Sequence, residues 1–258
     1  MSNLFSKVRN AIEIFKSIDL DELSKISGKV DLPKMMEGFS KMNDKQIKML
    51  MRAIDPEKKK KELPPVDGDF YDVFETLTPE QKEIQLKVRN FMEKEVKPLV
   101  NDHWLHDSFP FEIIEKFKEL NVCGVTYEGY GCPGLPFLME GVLAMEMARV
   151  DASIATFFGV QSGLSMGSIY ICGSEAQKQK WLPQMQKFEK IGAFGLTEPE
   201  VGSGAAGGLT TTCKKTQEGW ILNGQKKWIG NATFADVIII WARDLDDGEV
   251  KGFILEKD

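Results

Sequence analysis

The apolar residues of this chain change their period once. Up to about Ile191 they recur every three to four positions, and beyond it they fall in short β-branched or aromatic runs. Phe5, Val8, Ile12 and Phe15 repeat at helical spacing, as do Ile47, Leu50, Met51 and Ile54, so residues 1–55 read as a helical N-terminal extension. Five of the twelve methionines lie between Met35 and Met51, which gives this extension an adaptable apolar face, for packing on the main body or for docking a partner helix. Residues 56–69, with Pro56, the lysines 58–61 and Pro64-Pro65, read as a linker, its lysines solvated between acidic flanks. Thr78-Pro79-Glu80-Gln81 then predicts a helix start with a capping box and a proline at the first helical position. Ile84, Val88, Phe91 and Met92 form its buried stripe. Further helices are predicted over 111–120, 137–149, 153–172 and 175–181, with a loop over 131–136. Strands follow over 210–214, 220–223, 237–241 and 252–255, with turn signals at Glu218-Gly219 and Asn223-Gly224. Helices first and strands after imply an α+β chain: an α-helical bundle domain over 70–190 feeding an antiparallel β-domain over 191–258. In such a domain the 237–241 run would expose β-edges.

Composition narrows the partners. With 258 residues the chain can bury a large core, and its formal charge of −6 weighs against nucleic acid or an anionic membrane as the main partner. Cys123, Cys132, Cys172 and Cys213 show no CxxC pairing, which fits reduced thiols and a cytoplasmic location. His103 and His106 lack further ligands at metal-binding spacing, so no metal site is expected. The uncharged stretch 152–173 mimics a membrane span, but its serines, Thr156, Gln161 and recurring glycines favour a buried bundle helix over a transmembrane one. The N-terminus carries no continuous apolar h-region of a secretory signal.

Gly202-Ser203-Gly204-Ala205-Ala206-Gly207 matches GxGxxG literally. That fingerprint needs a helix N-terminus to receive a pyrophosphate and an acidic residue some twenty positions on. Here a β-branched run, Thr210-Thr211-Thr212, follows, and the later stretch is Trp220 to Lys227, so a nicotinamide Rossmann site is rejected. What remains is a small-residue loop that lets backbone N–H groups approach a phosphate, with Ser203 and Thr197 as hydroxyl donors. Trp228 supplies a rigid surface for a flat ring, with Gly230 leaving room beside it.

Two segments, Leu196-Thr197-Glu198-Pro199-Glu200-Val201-Gly202-Ser203 and Asn223-Gly224-Gln225-Lys226-Lys227-Trp228-Ile229-Gly230-Asn231, resemble the flavin-holding segments of the acyl-CoA dehydrogenase/oxidase family. Gly129-Tyr130-Gly131-Cys132-Pro133-Gly134, Ala148-Arg149-Val150-Asp151 and the Gly173–Lys178 stretch leading to Leu182-Pro183 extend the resemblance from about Leu77 to Lys257. Within the family it is most similar to the glutaryl-CoA dehydrogenase and short-chain acyl-CoA oxidase branch. The resemblance implies FAD as cofactor, held by Phe194, Gly195, Leu196 and Thr197, by Gly202 and Ser203, and by Trp228, Ile229 and Gly230. It implies an acyl-CoA substrate touched by Ser203, Ala155 and Thr156, electron-transfer flavoprotein or O2 as acceptor, and a homo-oligomeric full-length form. In the family the catalytic glutamate lies in a C-terminal four-helix domain. That domain is absent before Asp258, where the β-domain is still incomplete, so no residue here is nominated as the base.

Two positions depart from the family pattern: Gly204 stands where an aspartate is usual, and Gly230 where many relatives carry threonine. Ala155 stands where glutaryl-CoA dehydrogenases place an arginine for the distal carboxylate, which implies a short or medium monocarboxylic acyl chain. The alternatives are a fragment of an acyl-CoA dehydrogenase, an oxidase, or a non-catalytic remnant that binds flavin or acyl-CoA and docks to a partner.

Overall fold

The computed structural model describes residues 38, 41–43, 45, 46, 68–202, 204–206 and 208–257. The chain divides into two compact units, Met1–Val66 and Asp67–Asp258. Apart from residues 38, 41–43, 45 and 46, the predicted N-terminal helical extension lies outside the described residues, as does nearly all of the predicted linker.

In the second unit, Thr78 caps helix α1 (Pro79–Phe91): its side chain accepts from the Gln81 amide, and the Gln81 side chain accepts from the Thr78 amide. A π-helical stretch, Met92–Val96, carries the chain into α2 (Lys97–Leu105). Helix α3 (Glu112–Leu120) buries Ile113, Phe117 and Leu120 on one stripe and ends at Asn121, whose φ of 55° closes it in the left-handed conformation. Helix α4 (Phe137–Val150) follows, and Asp151 then caps α5 (Ala152–Gly159) by accepting from the Ile154 amide at 2.8 Å. A second π stretch, Val160–Met166, leads into α6 (Gly167–Cys172).

Among the described residues, Ala152–Cys172 is the one helix long and apolar enough to cross a membrane, yet 56% of its apolar window is buried inside the fold. There Phe157 and Phe158 join Phe117 and Phe188 in an aromatic cluster, with ring centroids 5.5–6.4 Å apart. Helix α7 (Glu175–Gln186) starts with a second capping box, Ser174 with Gln177. It runs past the predicted end at Trp181 and contains Pro183, because Leu182 and Met185 are fully buried and hold the last turn in place.

Five strands follow: β1 (Gly192–Gly195), β2 (Thr212–Thr216), β3 (Gly219–Asn223), β4 (Val237–Asp244) and β5 (Val250–Glu256). The predicted succession of a helical domain and a sheet is what forms, but the pairing is mixed rather than antiparallel throughout. β4 pairs antiparallel with β5 over Val237–Arg243 on one edge. On its other edge it pairs in parallel first with β1, from Gly192↔Val237 to Gly195↔Ile240, and then with β2, at Thr212↔Arg243 and Cys213↔Asp244. β2 and β3 form the hairpin signalled at Glu218-Gly219. Asn223-Gly224 makes no hairpin: Gly224 passes so close to Thr211 that a Cβ would come within 2.5 Å of its Cα. The 237–241 run is therefore not an exposed edge. It is the centre of the sheet, and Val237, Ile239 and Ala242 are buried.

The sheet and the helices are locked at one seam. Gln161, fully buried in the second π stretch, donates through Nε2 to the Met185 and Lys190 carbonyls at 2.9 Å each. Its Oε1 accepts from the Gly192 amide at 2.5 Å, which fastens the start of β1. Glu146, also fully buried, accepts from Gln85, Arg89 and Arg149 and ties α1 to α4.

Candidate functional site

At the end of β1 the chain must leave the sheet close to β4: a Cβ on Gly195 would come within 2.5 Å of Ile240 Cδ1. Phe194 turns its ring toward Trp241 (6.2 Å between centroids), so only its backbone is free to meet a ligand. Leu196 and Thr197 then run beside the second segment. Lys226 Nζ donates to the Leu196 carbonyl at 3.1 Å, and the Lys227 amide donates to the Thr197 carbonyl at 2.9 Å. The two segments that the sequence singles out, twenty-odd residues apart, are thus brought together by backbone and lysine hydrogen bonds.

Trp228 follows directly, with its ring 83% exposed and only the Lys227 ammonium (4.7 Å from the ring centroid) over it. Its φ of 61° is a left-handed conformation that costs a bulky residue about 1–2 kcal/mol. Two anchors hold it there. On one side is the Lys227–Thr197 bond. On the other, Asn231 donates through Nδ2 to the carbonyls of Phe157 (3.2 Å) and Gly192 (3.1 Å), bridging α5 and β1. Gly230 lies between these anchors, against the first residue of the π stretch that follows α5: a Cβ there would be 3.0 Å from Val160 Cγ2. Val160 stands four residues beyond Thr156. Thr156 is exposed and its hydroxyl donates to the Ala152 carbonyl, whereas Ala155 is half-buried against the core.

Glu198 sets the base of the loop over 199–209. Its carboxylate accepts from the Thr210 amide (2.6 Å), the Thr210 hydroxyl (2.5 Å), the Thr211 amide (2.9 Å) and Lys226 Nζ (2.8 Å). Burial pushes the carboxyl pKa up, but the hydrogen bonds from Lys226, Thr210 and Thr211 outweigh it and hold it far below the ordinary carboxylate range. Among its described residues the loop contains one 3-10 turn, Gly204–Ala206. Gly202 is exposed, and Ser203 lies outside the described residues. Gly204 is buried, and a Cβ on it would come within 2.8 Å of Val201 Cγ1, so the aspartate usual at this place would have to displace the Val201 side chain. Arg243 reaches from β4 to the Leu209 carbonyl at 3.2 Å and steadies the end of the loop.

The other predicted chemistry lies elsewhere. His103 meets Ser108 and Glu112, and His106 the Asp102 carbonyl, so the two rings face different partners. All four cysteines stand unpaired. Burial pushes the Cys132 thiol up to about 11, away from nucleophile chemistry at neutral pH. Glu198, Lys226, Asn231 and Gln161, which build the site from behind, were not singled out by sequence reasoning. A lone glutamate before proline and a Lys-Lys pair give no sign of which side chain is buried.

Residues 78–189 match the family model for the acyl-CoA dehydrogenase N-terminal domain, and residues 193–258 match that for the middle domain. An acyl-CoA dehydrogenase of Bacillus subtilis is 33% identical over 186 residues, covering 70% of this chain and 49% of that protein. Among solved structures, a glutaryl-CoA dehydrogenase from Mycobacterium smegmatis in complex with FADH2 superposes with a TM-score of 0.68 at 38% identity, covering 73% of this chain and 48% of that one. Butyryl-CoA dehydrogenase from Megasphaera elsdenii superposes with a TM-score of 0.65 at 33% identity, covering 70% of this chain and 49% of that one. The chain thus spans half or less of the length of these relatives.

Proposed function

The chain belongs to the acyl-CoA dehydrogenase family, and from that premise we propose that it forms the FAD-binding part of an oxidoreductase that introduces an α,β double bond into a short or medium monocarboxylic acyl-CoA. The observation that carries this is the fastening of the Leu196-Thr197 backbone beside an indole held exposed against its conformational preference. A strained, exposed tryptophan is retained where the surrounding bonds over-determine it, and such sites are typically functional. The residues fit a flavin: Trp228 offers a face to a flat ring, Thr197 is exposed with its hydroxyl available, and the exposed Gly202 lets backbone come close. When bound, FAD would supply a hydride acceptor for the oxidation of the acyl thioester. Phe194 to Thr197 would hold the ring by its edge, Trp228, Ile229 and Gly230 would cover it, and Gly202 with Ser203 would meet the phosphates.

Glu146, Glu198 and Asp244, the buried carboxylates among the described residues, are each committed to cations of the fold, so none of them is assigned as the base. A monocarboxylic chain is supported by Ala155, a neutral half-buried residue: a distal carboxylate left unpaired there would cost several kcal/mol, on the order of the usual penalty for a buried charge. The reading takes electron-transfer flavoprotein as acceptor, a reduced cytoplasmic setting for the four free thiols, and a homo-oligomer.

Titration of FAD into the purified chain, followed by quenching of flavin and tryptophan fluorescence, tests the cofactor. Saturable 1:1 binding that weakens in Trp228→Ala is the expected result, and no binding would refute it. The protein isolated from its source cells should turn over butyryl-CoA faster than glutaryl-CoA with electron-transfer flavoprotein. The reverse preference would refute the substrate reading, and oxygen consumption without that acceptor would make it an oxidase.

A further inference from the structure

One buried charge pair has no role in ligand contact, yet it sits where the site is assembled. Glu198 is 3% exposed, and the side chain of Lys226 is 8% exposed. A buried ion pair of this kind is rarely worth more to stability than apolar residues of the same volume, so its presence calls for another reason. Its connections supply one. Glu198 holds Thr210 and Thr211, at the far end of the 199–209 loop, while Lys226 holds both Glu198 and the Leu196 carbonyl. Three stretches of chain, 196–198, 210–211 and 226–227, therefore meet at one pair of charges. Two residues from Lys226 is Trp228.

We propose that Glu198 and Lys226 are positioning residues of the flavin site: their ion pair sets the spacing of the Thr197 backbone from the Trp228 ring and closes the base of the loop that would meet the cofactor's phosphates. The proposal rests on the flavin reading above. It identifies the residues that shape the site rather than those that touch the ligand. Neither side chain is replaceable by its uncharged isostere, because the remaining charge stays buried without its partner. Removing both charges should therefore be less harmful than the two single changes combined.

The test uses the full chain and three variants, Glu198→Gln, Lys226→Met and the double variant, at a temperature where circular dichroism shows all of them folded. Each single variant should raise the Kd for FAD about tenfold or more, as expected for a lost charge-assisted hydrogen bond at the site. The double variant should fall well short of the product of the two. Hydrogen exchange gives a readout that needs no flavin: the amides of Lys227 and Thr210 should lose protection in both single variants while Val237 and Ile239 keep theirs. Wild-type FAD binding with single-variant affinities within about twofold would overturn the proposal, as that is less than one neutral hydrogen bond. So would fully additive effects. If the wild-type chain does not bind FAD, the flavin reading falls, and exchange alone decides whether the pair is the fastener: unchanged protection at Lys227 and Thr210 overturns it.

Discussion

Gln161→Leu replaces a buried amide by an apolar group of similar volume and leaves no cavity, so its cost is set by the three hydrogen bonds it removes. The partners differ in what they lose. The Met185 carbonyl still accepts from the Phe188 amide at 3.0 Å, and the Lys190 carbonyl is only partly buried, so each loses a single ordinary bond of about 0.5–1.5 kcal/mol. The Gly192 amide is buried and is bonded to Gln161 Oε1, so its loss carries the larger penalty of about 1–3 kcal/mol for an unpaired donor. Together these come to about 2–6 kcal/mol. For a folded unit of this size that corresponds to a fall in Tm of roughly 4–24 °C. Urea unfolding followed by circular dichroism and tryptophan fluorescence measures the first quantity, and calorimetry the second. Gln179→Leu, on an exposed face of α7, is the control and should change stability by less than about 0.5 kcal/mol. A loss below about 1 kcal/mol for Gln161→Leu, with an unchanged m-value, would refute the claim that this side chain fastens β1 to the helices.

Trp228→Gly should leave stability unchanged or raise it by about 1 kcal/mol, since glycine relieves the left-handed strain of an exposed ring, while flavin affinity falls; urea and FAD titrations read the two separately. Gly230→Thr, which restores the residue many relatives carry, should destabilise the chain because its Cβ meets Val160 Cγ2 at 3.0 Å, and adding Val160→Ala should recover most of the loss in a thermal melt. The pKa of Glu198 is lowered in the folded chain, so its contribution is full above the ordinary value of 4.5 and is lost as pH falls below it. Melting curves taken from about pH 5 downward, where the unfolded carboxyl takes up its proton while the folded one stays ionised, should therefore fall more steeply for wild type than for Glu198→Gln. Parallel curves would be the contrary result.

Much of the helical half was legible because its signals are local. The Thr78 capping box, the stripes of α1 and α3 and the break at Asp151 are all written within four residues of one another. The two π stretches carry no comparable mark, since Val160–Met166 differs from a helix only in which carbonyls are bonded. In the sheet, the locations of β2 to β5 were readable but partners were not. β1 is four residues with glycine at both ends, so neither length nor β-propensity announces it. Its parallel pairing with β4 joins residues more than forty positions apart, beyond any turn signal. For the site, Trp228, Thr197 and the small-residue loop were visible as residue types suited to a flat ring and a phosphate. Asn231, Gln161, Glu198 and Lys226 were not, because their importance comes from burial and long-range partners.

One consequence concerns how this architecture tolerates change. The loop between Gly195 and Thr212 leaves and rejoins the sheet along the same edge of β4, and its ends are held by that one strand whatever lies between. Loop-closure entropy then hardly penalises insertion: doubling the length costs only about 0.6 kcal/mol. The stretch between the Glu198 and Thr210 fastenings behaves as an exchangeable cassette. Its length is open to variation, or to grafting from a relative, without re-registering a single strand, provided that Glu198, Thr210 and Thr211 stay. Changes on β4 have no such freedom, because one shift there moves both anchors at once.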